Sequence, residues 1–136
     1  MIASSMAGVQ MNPEQIRATI QRAGETWMNG DADEFARLFL PDGELIVPGY
    51  RWQGQQAIHD VVAEFSATHT DVNVNIRRIL VEGDSAVVEW VWEDTETQTG
   101  KRTQAEDAIA VDFEQGQIRR WREYIDTESP RATVHQ

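Results

Sequence analysis

Two carboxylic acids stand among apolar residues in the last third of the sequence. In segment 119–126, RRWREYID, strand alternation puts Trp121, Glu123 and Ile125 on one face. In segment 103–113, TQAEDAIAVDF, the same alternation puts Asp107 in the middle of the apolar face. Carboxyl groups in partly dry surroundings change their pKa values, and two neighbouring ones can share a proton. These residues therefore indicate acid/base chemistry.

A turn signal between the two segments predicts that they form a hairpin. The glycine of EQG suits the left-handed position of a three-residue loop with a bulge. If Phe113 then pairs with Gln117, Asp107 lies directly opposite Glu123, with Cβ atoms about 5 Å apart. We predict that Glu123 and Asp107 form a catalytic acid/base pair, in which one carboxyl is protonated beside an ionised neighbour.

Two other arrangements are compatible with the same residues. Buried arginines such as Arg77 or Arg78 would neutralise one or both acids, which would then serve structure only. A slip of one residue in the strand register would turn one acid to the other face and separate the pair. The sequence leaves these alternatives open.

The first part of the sequence predicts the helices that pack against these strands. Asn12 and Gln15 form a capping box around a proline, and an apolar stripe follows at spacings of three and four. Gly30 ends this helix, Asp31 begins a short second one, and the spacing predicts a third over 54–67.

The rest of the sequence is strand-like. A turn at 41–43 precedes a short strand, ELIVP, and four long alternating segments follow at 71–81, 86–94, 103–113 and 117–126. The order of helix, helix, strand, helix and four antiparallel strands predicts an α+β domain in which one sheet packs on its helices.

Tryptophans are the candidate walls of a binding site. Trp90 and Trp92 share one strand face, where flat rings suit a planar or hydrophobic ligand. Ordinary core packing explains the same pattern equally well. We expect Trp52 near the mouth of a pocket, whereas Trp27 is more typical of a core residue.

Composition excludes several classes of function. The 136 residues carry 23 acids and 12 bases, a net charge of −11, which disfavours nucleic acid and anionic membranes as partners. No apolar run approaches the ~20 residues that span a bilayer. The chain has no cysteine, and His59, His69 and His135 show no ligand spacing, so we predict no metal site. A cytoplasmic location is expected.

The ends of the chain are expected to lie outside the domain. Residues 1–11 have neither a basic start nor a long apolar run, so they predict a disordered leader and not a secretory signal. Residues 128–136 predict a polar tail. The domain itself is predicted over 12–127.

Two segments carry a resemblance to a known family. GDADEFARLFLPDGELIVPG and GQIRRWREYID, with a helix between them, resemble the NTF2-like superfamily, specifically its SnoaL-like polyketide cyclase group. The resemblance implies a cystatin-like α+β cone: three N-terminal helices packed on a curved, mixed, mostly antiparallel sheet. It also implies an apolar pocket at the open end and a homodimer through the outer sheet face. The superfamily includes several enzyme classes and non-catalytic proteins, so the reaction is not implied.

The resemblance to the ketosteroid isomerases within this superfamily implies positions for their catalytic groups. The general base corresponds to Val47, the oxyanion-hole tyrosine to about Ala23, and the oxyanion-hole aspartic acid to about Ile109. That chemistry therefore lacks its parts.

The resemblance to the limonene-epoxide hydrolases is similarly incomplete. Their Arg-x-Asp pair corresponds to Trp90 and Trp92, and their last-strand aspartate to Glu123, while Leu45 and Val47 replace the residues that position water. The comparison nevertheless implies which side chains point into a common cavity. We expect a substrate-binding lining of Trp90, Trp92, Trp121, Leu45, Val47, Trp52 and Ile109 around the two acids.

These expectations lead to one leading hypothesis and one alternative. The protein is predicted to bind a small hydrophobic molecule and to catalyse its isomerisation, cyclisation or hydration without a cofactor. The alternative is a non-catalytic module that binds a ligand or forms dimers.

Overall fold

The computed structural model describes residues 11–126. The helices are α1 (Pro13–Asn29), α2 (Ala32–Arg37) and α3 (Gln55–Thr68). The strands are β1 (Phe39–Val47), β2 (Tyr50–Gln53), β3 (His69–Glu82), β4 (Ser85–Glu96), β5 (Arg102–Glu114) and β6 (Gln117–Asp126). The predicted leader, apart from Met11, and the predicted tail lie outside the described residues.

The six strands form one open sheet in the order β2-β1-β6-β5-β4-β3. Strands β1 and β6 run parallel, and every other neighbouring pair is antiparallel. Helix α1 packs against β3, while α3 packs against α2 and β1. The predicted α+β class, with three N-terminal helices on a mixed and mostly antiparallel sheet, is confirmed.

The cap signals of the first helix act as predicted. The Asn12 side chain accepts a hydrogen bond from the Gln15 backbone N–H at 2.8 Å, and the Gln15 side chain accepts one from the Asn12 backbone N–H at 2.9 Å. Gly30 ends α1 with φ 66°, a left-handed conformation that glycine adopts without steric cost. The buried stripe of α1 includes Ile16 and Ile20, both fully buried.

The turn predicted at 41–43 is wrong, because β1 continues through it. The pairing register between β1 and β6 shifts between Phe39 and Glu44, so the segment forms an irregular stretch of strand. Gly43 allows a close approach there, since a Cβ atom would lie 2.8 Å from the Ile118 carbonyl oxygen. The chain then turns into β2, a short strand that the sequence did not predict, which pairs with β1.

The hairpin of β5 and β6 differs from the predicted register. Gln115 and Gly116, with φ 56° and 82°, form a two-residue turn, and Glu114 pairs with Gln117. Arg119 is then an extra residue in β6, because the register shifts between Asp112 and Phe113. The predicted three-residue loop is therefore wrong.

The turn and the bulge together move the pairing by two residues. Glu123 lies opposite Ile109, and Asp107 lies opposite Ile125, so the prediction that the two acids face each other directly is wrong. A shift of two preserves the face of every side chain. Asp107 and Glu123 therefore remain diagonal neighbours on one face of the sheet.

The core lies between this face and the helices. Its largest fully buried side chains include Trp90, Trp121, Phe35 and Phe39. No helix within residues 11–126 is long and apolar enough to cross a membrane.

Candidate functional site

A cavity of about 250 Å³ lies between the helices and the face of the sheet that carries the two acids. Helices α1 and α3 and all the strands except β3 contribute to its lining. The lining residues are Trp27, Leu45, Val47, Trp52, Val61, Phe65, Trp92, Ala105, Asp107, Glu123 and Ile125. Most of these side chains are half-buried, so the cavity communicates with solvent.

Six of the residues singled out from the sequence meet in this cavity: Asp107, Glu123, Leu45, Val47, Trp52 and Trp92. Trp90, Trp121 and Ile109 do not line it. They are at most 1% exposed and lie in the core. Trp90 and Trp121 nevertheless support the site from the core. The indole N–H group of each donates a hydrogen bond to one of the two acids.

Five lining residues were not among those proposed from the sequence. Ala105 and Ile125 share their strand faces with the two acids, so alternation was a sufficient signal. Val61 and Phe65 lie on the apolar stripe of α3, which core packing explains equally well. Trp27, expected in the core, lines the cavity for the same reason: periodicity does not separate a core side chain from a cavity wall.

Aromatic rings build one wall of the cavity. The Trp27 ring lies edge-to-face against Trp92 and Phe65, with ring centroids 5.2 Å and 5.7 Å apart. Phe65 and Trp92 are also in contact, with centroids 5.8 Å apart. The Trp27 Nε1 donor is buried and has no hydrogen-bond partner within residues 11–126.

Asp107 is buried, with 6% of its surface exposed. The Trp90 Nε1–H group donates a hydrogen bond to its Oδ2 atom at 3.1 Å, whereas Oδ1 is buried without a partner in the described chain. Burial raises the pKa of Asp107 to about 6, and the hydrogen bond from Trp90 opposes this change by stabilising the charged form.

Glu123, the diagonal neighbour of Asp107 on β6, is half-buried. The Trp121 Nε1–H group donates a hydrogen bond to its Oε2 atom at 2.9 Å. Burial, and then the nearby negative charge of Asp107, raise the pKa of Glu123 to about 7, while the Trp121 hydrogen bond lowers it. The pair thus binds about one proton near neutral pH.

Neither Arg77 nor Arg78 neutralises these acids. Arg78 pairs with Glu89 at 2.9 Å and is largely exposed, and Arg77 is exposed and lines a groove whose lining also includes Asp107. Neither of these arginines affects the pKa of Asp107 or Glu123. The alternative in which Arg77 or Arg78 forms a structural ion pair with the acids is therefore wrong. The alternative of a register slip of one residue is also wrong, because it would have put the two acids on opposite faces.

The described residues offer few ligands for a metal. Within 11–126 no group of three His, Cys, Asp or Glu side chains is arranged to hold an ion. His59 pairs with Asp33 and Asp60, and His69 stacks on Phe65 at 4.0 Å. The chemistry that the site itself can supply is proton transfer at two carboxyls inside an aromatic cavity.

Comparison with known families agrees with this fold. The model of the SnoaL-like domain matches residues 15–121, so the chain belongs to that family. The resemblance to the SnoaL-like group of the NTF2-like superfamily is confirmed. No curated protein matches the chain significantly.

Solved structures of the same architecture come from several bacteria. A protein of Catenulispora acidiphila DSM 44928 with a ketosteroid isomerase-like fold, in complex with trimethylamine, is 20% identical; the match covers 90% of this chain and 92% of that one, with a TM-score of 0.76. A proposed SnoaL-like polyketide cyclase of Jannaschia sp. CCS1 is 17% identical, over 88% and 92%, with a TM-score of 0.75.

An LEH-like epoxide hydrolase of M. tuberculosis has the same fold. It is 20% identical, with 90% of each chain covered and a TM-score of 0.76. At these identities the similarity establishes the fold and not the reaction.

Proposed function

We propose that the protein is a cofactor-independent acid/base enzyme that moves a proton between two positions of a small, mainly apolar molecule. The observation that carries this proposal is the pair Asp107 and Glu123, which line one cavity, have raised pKa values and have no arginine beside them among residues 11–126. A catalytic acid or base works best when its pKa lies near the working pH.

The pKa of Asp107 is lower than that of Glu123, so the two groups suit different roles in such a reaction. Between their pKa values, about 6 and about 7, Asp107 is mostly ionised and serves as the base, while Glu123 is mostly protonated and serves as the acid. The base removes a proton from one substrate atom and the acid delivers a proton to another. Exchange with solvent then returns both groups to their starting states, so the net reaction is an isomerisation.

Asp107 and Glu123 line the same cavity, so one bound substrate can contact both. As diagonal neighbours on an antiparallel pair, their backbones are about 7–8 Å apart. Trp90 and Trp121 fix one oxygen of each acid, which orients the carboxyl groups.

Hydrogen–deuterium exchange tests the proposal without knowledge of the natural substrate. The α-protons of 2-tetralone and of tropinone, one neutral and one cationic ketone, would be followed by NMR in D₂O near neutral pH. We expect the wild-type protein to accelerate exchange of at least one ketone. Asp107→Asn and Glu123→Gln should each reduce this acceleration about a hundredfold.

Glu64→Gln is the matched control, because Glu64 is an exposed residue of α3 outside the cavity. Its exchange rate should equal that of the wild type. Equal rates for the wild type and both cavity variants, or no acceleration of either ketone, would contradict the acid/base proposal. Ligand binding without exchange would favour the non-catalytic alternative.

We also propose that the protein is a homodimer through the outer face of the sheet. Leu80, Val87 and Tyr124 are exposed there by 54%, 43% and 52%, and Leu80 and Val87 are cross-strand neighbours. Light scattering after size exclusion should give twice the chain mass for the wild type and the monomer mass for Leu80→Asp. A monomeric wild type would contradict this arrangement.

A further inference from the structure

The charge of the cavity is unbalanced. Within residues 11–126, its eleven lining residues include Asp107 and Glu123 and no lysine, arginine or histidine. These two are the sole titratable groups that α1, α3 and the strands present to the cavity lining. When both are ionised, no described residue of the lining supplies a balancing positive charge, whereas a cationic ligand would.

The aromatic wall is suited to a positive charge. Trp27, Trp52, Phe65 and Trp92 line the same cavity as the acids. The faces of aromatic rings, and of tryptophan most strongly, attract ammonium groups within about 6 Å. Rings alone would also accept a neutral apolar molecule, so it is their combination with two carboxyl groups that discriminates between ligands.

Asp107 supplies a second, independent observation. Its side chain is more than nine-tenths buried and lines the cavity, yet Oδ1 has no partner among the described residues. A buried acceptor without a donor is costly, and a ligand N–H group would satisfy it. Trp90 already occupies Oδ2, so the orientation of Oδ1 is fixed before the ligand binds.

From these features we infer that the ligand of this cavity is a compact hydrophobic amine, bound as its ammonium ion between the aromatic rings and the two carboxylates. The inference rests on the proposed function, because it assigns a substrate class to the same site. Ionised Asp107 then pairs with the ammonium group and remains the base, while Glu123, the less buried of the two acids, remains the acid and exchanges its proton with solvent.

Three probes with one carbon skeleton test the inference by calorimetry: 2-aminoindane, 2-indanol and indane-2-carboxylate. At pH 8 we expect the ammonium probe to bind at least about tenfold more tightly than the alcohol, and the carboxylate to bind most weakly. At pH 6.5, titrations in buffers of different ionisation enthalpy should show protons released when the ammonium binds and none when the alcohol binds.

Isosteric variants identify the groups responsible. In Asp107→Asn and Glu123→Gln, the amide oxygen can still accept the tryptophan N–H, so the fold keeps its bond while the charge is lost. The preference for the ammonium should fall about tenfold in each variant, with the affinity for 2-indanol nearly unchanged. Glu64→Gln, on exposed α3, should keep the full preference.

The outcomes separate the inference from the proposed function. Equal or tighter binding of 2-indanol by the wild type would overturn the amine assignment and leave a site for neutral molecules. A preference for the ammonium that survives in both cavity variants would also overturn it, since surface charge would then be its cause. Binding of none of the probes would contradict both the amine assignment and a ligand site in this cavity.

Discussion

Glu123→Gln should stabilise the protein at alkaline pH and not at acidic pH. Folding raises the pKa of Glu123 from 4.5 to about 7, because burial and the charge of Asp107 disfavour its ionised form. The folded state therefore keeps a proton that the unfolded state loses as the pH rises above 4.5. The contribution of Glu123 to the stability of the wild type therefore falls across this range and reaches a plateau above about pH 7.

The size of the effect follows from the interval between the two pKa values. From 4.5 to about 7, at about 1.4 kcal/mol for each pH unit, the ionised side chain costs up to about 3 kcal/mol of unfolding free energy. Glutamine has a similar shape and cannot ionise. The stability gained by Glu123→Gln should accordingly rise from near zero at pH 4.5 to about 3 kcal/mol at pH 8.5.

Urea unfolding of both proteins between pH 4.5 and pH 8.5, followed by circular dichroism, measures this difference. Comparison of variant and wild type at each pH removes the effect of the other acids, which both proteins share. Glu64→Gln, on the exposed surface of α3, should show a small difference that does not vary with pH. A difference for Glu123→Gln that is equally independent of pH would refute the assignment of a raised pKa to this carboxyl.

Two further predictions concern the supports of the site. Trp121→Phe removes the N–H donor that stabilises the ionised form of Glu123, so NMR titration should give a higher pKa for Glu123 than in the wild type. An unchanged or lower pKa would contradict the role of this hydrogen bond. Gly43→Ala places a Cβ atom 2.8 Å from the Ile118 carbonyl oxygen and should lower the unfolding free energy by about 1–3 kcal/mol. Unchanged stability in urea unfolding would show that β1 and β6 can separate at this position.

Local signals in the sequence predicted most of the elements. The capping box at Asn12 and the apolar stripe behind it define α1, and alternation defines β6 with the bounds that the structure shows. Alternation also placed Asp107 and Glu123 on one face, because each acid alternates in step with the apolar residues of its own strand, and those apolar residues face the core.

The pairing register required information that alternation does not contain. It depends on the turn at Gln115 and on the extra residue Arg119, and both are decided by backbone conformation. Alternation also does not show how deeply a side chain is buried. Trp90 and Trp92 have the same parity on β4, yet Trp90 is covered in the core while Trp92 lines the cavity. Which of the two is covered depends on where the helices pack.

The titration of the two carboxyl groups decides whether Asp107 and Glu123 have raised pKa values. Carbon-detected NMR of protein labelled at the Asp and Glu carboxyl carbons resolves each group between pH 3 and pH 9, and the Asp107→Asn and Glu123→Gln variants assign the signals. We expect a midpoint near 6 for Asp107 and near 7 for Glu123. Midpoints at the ordinary values of 3.8 and 4.5 would contradict this expectation.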